Sequence, residues 1–226
     1  MNAASVAYYE CEAVVDFDDC KIHPHVRLGE GTVLQPYCII GIPPANIESG
    51  NLATVIGAQS LLRSHTVIYA GNVIGAHFQT GHHVMIREYN VIGDDVSVGT
   101  GSVIEHHVKI GDRVRIHSQA FIPEYSILEN DCWIGPNVVF TNALHPLCPE
   151  VKKCMKGPTI RRGAKIGANA VLLPDIVIGE NALIGAGSVV IVDVPDNVVI
   201  AGNPGRVVKQ IEELTCPYDL IAKPYV

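Results

Sequence analysis

Aromatic residues are scarce in this chain: they make up 6% of its 226 residues, with a single Trp. An apolar share of 48% therefore comes mostly from aliphatic side chains, which suits a column of branched residues better than the aromatic-rich interior of a sandwich. Basic charge is also short. The 16 Lys and Arg are outnumbered by 23 Asp and Glu, giving a net charge of −7 with no basic block, so nucleic acid is not an expected partner. No apolar run reaches the length of a membrane-spanning helix. The opening MNAASVAYYECEAVVDFDDC is acidic and lacks a basic leading region, so it does not read as a secretory signal, and a cytoplasmic location is expected. Seven cysteines (Cys11, Cys20, Cys38, Cys132, Cys148, Cys154 and Cys216) include no CxxC pair, which points to free thiols rather than a zinc ribbon.

What the chain has instead is a six-residue beat. From Ile56 the series runs through Leu62, Ile68, Ile74, Thr80, Ile86, Ile92, Val98, Ile104, Ile110, Ile116, Ile122, Leu128 and Ile134 to Phe140, and only Thr80 departs from the apolar rule. It resumes at Ile160 and continues through Ile166, Leu172, Ile178, Ile184 and Val190; an earlier stretch holds Ile22, Leu28, Leu34 and Ile40. Neither a helix nor a hairpin strand has this period. A parallel β-helix does, since each short strand sends one large side chain inward before the chain turns a corner. Three six-residue faces make a coil of eighteen residues. Glycine often follows the large aliphatic, as at Gly57, Gly75, Gly93, Gly99 and Gly111, where backbones must approach closely.

The expected organisation is one β-helix domain over residues 1–209, with excursions near 41–55 and 143–158, and a capping segment over 210–226. The step from Phe140 to Ile160 is twenty rather than six, so fourteen extra residues bulge out within ALHPLCPEVKKCMKGP (143–158), as a loop of the kind that often serves binding. Near the end, VVKQIEEL reads as a short capping helix. Caps matter because an open prism end is a sheet edge.

Eighteen-residue spacing puts residues on adjacent rungs, roughly 4.8 Å apart. One outward column then reads Ala70, Glu88, His106, Glu124, Asn142. An imidazole with a carboxylate on either side is suited to act as a general base, so His106 and Glu124 are the candidate catalytic pair. Glu88, Asn142, Arg87 and His145 are candidate substrate contacts, together with His82, His83 and His117, the last in a slot that most faces fill with glycine. Asn72 and Asn90 fall on one column at the small-residue position, where an amide ladder inside the prism is expected.

These residues resemble the hexapeptide-repeat acyltransferases, from about residue 22 to 209. The resemblance implies a left-handed coil, which runs against the usual crossover rule. FQTGHHVMIREYNVIGDDVSVGTGSVIEHHVKIGDRVRIHS (78–118) and WIGPNVVFTNALHP (133–146) look like the nucleotide-sugar N-acetyltransferases, including those acting on dTDP-3-amino-3,6-dideoxyhexoses. The tail from GPTIRRGAKIGANAVLLPDIVIGENALIGAGSVV to DVPDNVVIAGNPGRVVK (157–209) resembles the acetyl-CoA-binding end of the wider family. The segment Ile104-Glu105-His106 matches the family position of a proposed base, but His107 follows where glutamate is usual. The resemblance implies acetyl-CoA as cosubstrate and no metal. It also implies a nucleotide-linked amino deoxysugar as acceptor (dTDP foremost) and a homotrimer with sites between subunits. Gly167, Ala168, Gly185 and Ala186 are small enough to let pantetheine approach the backbone, and Arg206 and Lys209 are candidates for the cofactor phosphates.

Three other functions compete. The γ-type carbonic anhydrases share the fold but need paired histidines five residues apart, and Ile122 stands five residues after His117. O-acetylation of a small alcohol or xenobiotic substrate remains open, with His106 or His145 as base. A non-catalytic scaffold would have a featureless outer column, which Glu88–His106–Glu124–Asn142 is not.

Overall fold

The computed structural model describes residues 8–11, 15–17, 19–45, 47–49 and 51–225. Over these described residues the chain winds as a three-faced parallel β-helix whose faces are sheets of nine, ten and ten strands, most of them two residues long. Each coil contributes, in order, a strand to sheet A (Val73–Ile74), to sheet C (Gln79–Thr80) and to sheet B (Met85–Ile86). Pairing is in an eighteen-residue register: Val73 faces Val91, Gln79 faces Ser97 and Met85 faces Val103.

Two irregularities interrupt that register. Ile39 pairs with Val67 across the first excursion, and Val139 pairs with Val171 across the second, so the core closes over both insertions without losing phase. The second carries only a four-residue helix, Val151–Cys154, with no buried residue.

The beat positions fill the axis. Ile86, Ile104, Ile122, Leu128 and Ile134 are almost wholly inaccessible, and each such side chain contributes about 1.5–3 kcal/mol by leaving water. The expected amide ladder is present: Asn72 Oδ1 accepts from Asn90 N–H at 3.0 Å, and Asn90 Oδ1 accepts from Val108 N–H at 2.7 Å. Corners are turned by residues with left-handed φ, among them His65 (64°), His83 (55°), Tyr89 (62°) and His107 (59°). That conformation is costly for a residue with a Cβ, and stacking of the corner rings offsets it. Tyr37, His65 and His83 stack at 5.0 and 4.6 Å, and Tyr89, His107 and Tyr125 follow at 5.0 and 5.6 Å on another corner.

The two ends are closed by antiparallel strands. Tyr8–Cys11 and Val15–Phe17 lie antiparallel to the first coil. At the other end, Arg206–Gln210 is a strand rather than the start of a helix, and it pairs antiparallel with Val198–Ala201. Only the single turn Ile211–Glu213 is helical, of the 3-10 kind. The free N–H and C=O groups of the last coil capture VVKQ as a strand and override its helical appearance. No helix among the described residues is long and apolar enough to cross a membrane.

Candidate functional site

The carboxylate–histidine column assembles at the corner between sheets B and A. Met85, Val103, Phe121 and Val139 are in register on sheet B, and Glu88, His106, Glu124 and Asn142 lie three residues beyond them. His106 Nε2 is 3.7 Å from Glu124 Oε1, the two side chains being 25% and 21% exposed, so the pair is neither sealed off nor fully solvated. Glu124 Oε2 accepts a hydrogen bond from Asn142 Nδ2 at 2.7 Å, which fixes the carboxylate from the rung beyond.

Two partnerships were not visible in the sequence pattern. His106 Nδ1 meets His107 Nδ1 at 2.9 Å, so one imidazole donates and the other accepts. The hydrogen-bonded partner of His106 is therefore its neighbour, while Glu124 acts on it through space. Burial, with the nearby His106 charge, holds the His107 imidazole below its ordinary range and favours its neutral form.

Arg87, expected as a substrate contact, is committed within the protein. Its guanidinium grips Glu88 through Nε at 2.8 Å and Nη2 at 2.9 Å, reaches Glu105 at 3.4 Å and lies 4.9 Å from the Tyr69 ring centroid. Glu88 is buried, which by itself would raise its pKa, but the Arg87 hydrogen bonds and charge bring it below the ordinary carboxylate range. Glu105 has the opposite fate: burial raises it, the more distant Arg87 lowers it only partly, and the charge of Glu124 raises it again. Glu105 was legible as a member of Ile104-Glu105-His106 but received no role there. Two carboxylates, Glu88 and Glu105, thus share the Arg87 guanidinium, while the third, Glu124, faces His106.

The remaining candidates sit elsewhere. His82 and His117 line a concavity at the opposite edge of sheet B, where it meets sheet C. His83 belongs to the corner stack with His65. His145 is exposed on the second excursion, its carbonyl accepting from Cys148 N–H at 3.2 Å.

Among the expected acetyl-CoA positions, Gly167 has a structural reason to be glycine: a Cβ there would lie 2.5 Å from Ala186 N. Gly185 is less constrained, its nearest neighbour being Ile200 O at 3.1 Å, and Ala168 and Ala186 sit at the turn that follows on each coil. Arg206 and Lys209 are exposed on the last strand. A register shift between Val199 and Ile200 sets Arg206 opposite Ala201 and Lys209 opposite Val199, bringing both to the outward face of sheet C. Lys165, three strands away on that face, had no place in the sequence reading. Its Nζ donates to Gly163 O at 2.7 Å, the Tyr225 ring covers it at 5.0 Å, and burial lowers its pKa.

Comparison with known proteins agrees with this architecture. The family profile described as bacterial transferase hexapeptide (six repeats) matches residues 91–124 and 157–191. A galactoside O-acetyltransferase of Lactococcus lactis subsp. lactis is 40% identical over 88 residues, which cover 37% of this chain and 42% of that protein. A 2,3,4,5-tetrahydropyridine-2,6-dicarboxylate N-acetyltransferase of Clostridium perfringens is 39% identical over 82 residues, 36% of this chain and 32% of that one. The chain thus spans less than half the length of these curated relatives. Among solved structures, a UDP-N-acetylglucosamine acyltransferase from Bacteroides fragilis superposes with a TM-score of 0.53 at 18% identity, covering 84% of this chain and 72% of the other. The chain is a left-handed parallel β-helix, and within it residues 91–124 and 157–191 match the hexapeptide-repeat profile.

Proposed function

We propose that this protein is an acetyl-CoA-dependent acetyltransferase whose acceptor is the amino group of a nucleotide-linked amino deoxysugar. The observation that carries this is the ladder at the B/A corner: His106 Nε2 3.7 Å from a Glu124 carboxylate that Asn142 holds in place. The surrounding acidity favours an amine over an alcohol. Glu88, Glu105 and Glu124 are balanced by Arg87 alone, and such a field attracts a protonated amine.

The ammonium binds between Glu124 and His106 Nε2 and loses one proton to solvent. The neutral amine then attacks the thioester carbonyl and an N–C bond forms; His106 Nε2 takes the second proton from the nitrogen of the tetrahedral intermediate, and collapse breaks the C–S bond. His106 passes that proton to the departing CoA thiolate, which leaves as the thiol. His107, on the other ring nitrogen, sets the tautomer of His106. CoA runs along the outer face of sheet C, past Ala168 and Ala186 towards Arg206 and Lys209.

Assembly into a homotrimer fits the outward column of sheet B, which is apolar on every rung from Ile39 through Val67, Met85, Val103, Phe121, Val139 and Val171 to Val189. Packing that stripe against copies of itself covers it and places the B/A corner of one subunit beside the opposite corner of the next.

The test is kinetic. A panel of nucleotide-linked amino sugars is assayed for thiol release from acetyl-CoA across pH. His106→Asn is expected to lower kcat by about a hundredfold, the lower end for a general base, because an amine is a good nucleophile and a thiolate a good leaving group. Glu124→Ala is expected to raise KM for the amine. Wild-type rates and profiles in both variants would remove this pair from the mechanism. A second acceptor class is favoured by the likeness to galactoside O-acetyltransferases. Turnover of galactosides but not amino sugars, abolished by His145→Ala, would establish it.

A further inference from the structure

Three residues that break the repeat's own rules meet at one place. The slot after the inward residue on sheet C holds, coil by coil, Gln35, Arg63, Gly81, Gly99, His117, Gly135, Gly167, Gly185 and Ala201. Close approach of the next coil favours glycine there: a Cβ at Gly81 would lie 2.3 Å from Thr100 N, and one at Gly99 would lie 2.4 Å from Ser118 N. Gln35 and Ala201 depart from glycine at the two ends; within the stack Arg63 and His117 do, and both line the concavity at the edge between sheets C and B.

The third exception is Thr80, the polar member of the core series. It is fully buried, which for a hydroxyl is tolerable only with hydrogen bonds. Thr80 Oγ1 accepts from Arg63 N–H at 3.0 Å and meets Thr66 Oγ1 at 2.9 Å, while Arg63 Nη1 donates to the Thr80 carbonyl at 2.6 Å. The break in the core thus anchors Arg63 at the rim of the groove. Rule-breaking residues concentrate at functional sites, because a scaffold tolerates such departures where they serve another purpose.

The fixed charges lining the groove are both positive, Arg63 and Arg115. Arg115 projects from the outward face of sheet C, and His82 and Ser118 stand at its mouth. Thr100 Oγ1 accepts from His82 N–H at 3.2 Å, which leaves its own proton to donate. The Trp133 ring braces His117 at 4.7 Å. Among the described residues no carboxylate lines the groove, and neither Arg63 nor Arg115 is in an ion pair. Three guanidinium groups elsewhere find acids (Arg87 with Glu88, Arg113 with Asp131, Arg162 with Glu180), whereas Arg63 and Arg115 share one concavity without any. In a chain with a net charge of −7, two unpaired guanidinium groups facing one space of about 370 Å³ call for an anion from outside.

We propose that this groove is a diphosphate-binding site, with Arg63 and Arg115 gripping phosphoryl oxygens and the imidazole and hydroxyl donors completing the shell. Paired guanidinium forks match the geometry of phosphate oxygens. Both the nucleotide of the proposed acceptor and CoA carry a diphosphate. Only the choice between them rests on the function proposed above; the affinity itself does not.

The experiment is calorimetric titration of the full chain with dTDP, and separately with CoA, in the absence of acetyl donor and amine. Arg115→Gln and Arg63→Gln are compared with Arg113→Gln, which removes an exposed pair on another corner, and thermal melts check folding. Weakening of dTDP binding by about tenfold or more in Arg115→Gln, with CoA unaffected, is expected and assigns the nucleotide as the source. The same loss for CoA alone keeps the diphosphate site and assigns it to the cosubstrate. Should the wild-type chain bind neither, or should Arg115→Gln bind both as tightly as wild type, the proposal falls. Arg115 is exposed and unanchored, so its variant remains informative even where Arg63→Gln disturbs the Thr80 contacts. Because no turnover is measured, a chain inactive towards amino sugars leaves this test standing.

Discussion

Along one edge of sheet B, Glu88, Glu105 and Glu124 crowd around His106 and the single guanidinium of Arg87. Along the other edge, Arg63 and Arg115 face a groove with His82 and His117 and no acid. Both edges are made by the same repeat, the same strand lengths and the same register. The difference lies wholly in outward positions and in the slots beside them. A solenoid fixes its core with one column of side chains and leaves its other columns free, so charges of either sign are stacked at rung spacing without altering the fold. Stability is therefore written in the inward positions of the strands, and chemistry in the outward positions and the corners that follow them.

That separation is open to attack at its strongest point. Ile104 is fully buried directly before Glu105 and His106. Ile104→Ala is expected to cost about 2–5 kcal/mol in urea denaturation, by the combined loss of transfer energy and creation of a cavity. A loss well under 1 kcal/mol would show that the axis is loosely filled and that core and surface roles are not distinct.

Smaller effects test the acidic edge. Glu88→Gln breaks the two-point contact with Arg87 and is expected to destabilise the fold by about 2 kcal/mol at neutral pH. The sign of its pH dependence follows from the lowered folded pKa. The contribution is present above the ordinary value of 4.5 and is lost as pH falls through the folded one, so variant and wild type converge in acid. Glu105 runs the other way. Its folded pKa is raised, so it binds its proton more tightly when folded, and stability falls as pH rises above 4.5 through the folded value. Glu105→Gln is expected to flatten that fall, which melting temperatures from acid to neutral pH would register. Parallel profiles for the two variants would mean that the edge behaves as one undivided charge cluster.

The least disruptive measurement concerns the thiols. Burial pushes Cys38 up to about 11 and Cys132 up to about 12, and both should resist alkylation in the native state. Backbone N–H groups of Tyr218 and Leu220 lower Cys216 below its ordinary range, so labelling is expected there first, alongside exposed Cys154. Equal rates at Cys132 and Cys216 would show that the coils open far more readily than the closed axis implies.

Much of this architecture was legible because the repeat is strict. Ile56 to Phe140 gave the coil length, and the step to Ile160 falls where Val139 pairs with Val171 rather than with a residue eighteen on. The proximity of His106 and Glu124 followed from spacing alone. The partners of individual side chains did not. Arg87 turns onto the adjacent Glu88, and His106 onto the adjacent His107, because long or planar side chains at a corner choose among rotamers that spacing does not specify. VVKQ looked helical by its local pattern and became a strand because an unpaired sheet edge was available to it.

The amino-acid sequence by itself determined the coil and the order of side chains along every column, since a period of six places each Cβ at a known height and face. Tertiary structure alone decided that Arg63 and Arg115, more than fifty residues apart, look into one space, and that Thr80 anchors the first of them. A period sets where side chains begin. Where they end depends on the hydrogen bonds and charges waiting on neighbouring rungs, and those exist only once the coils have closed.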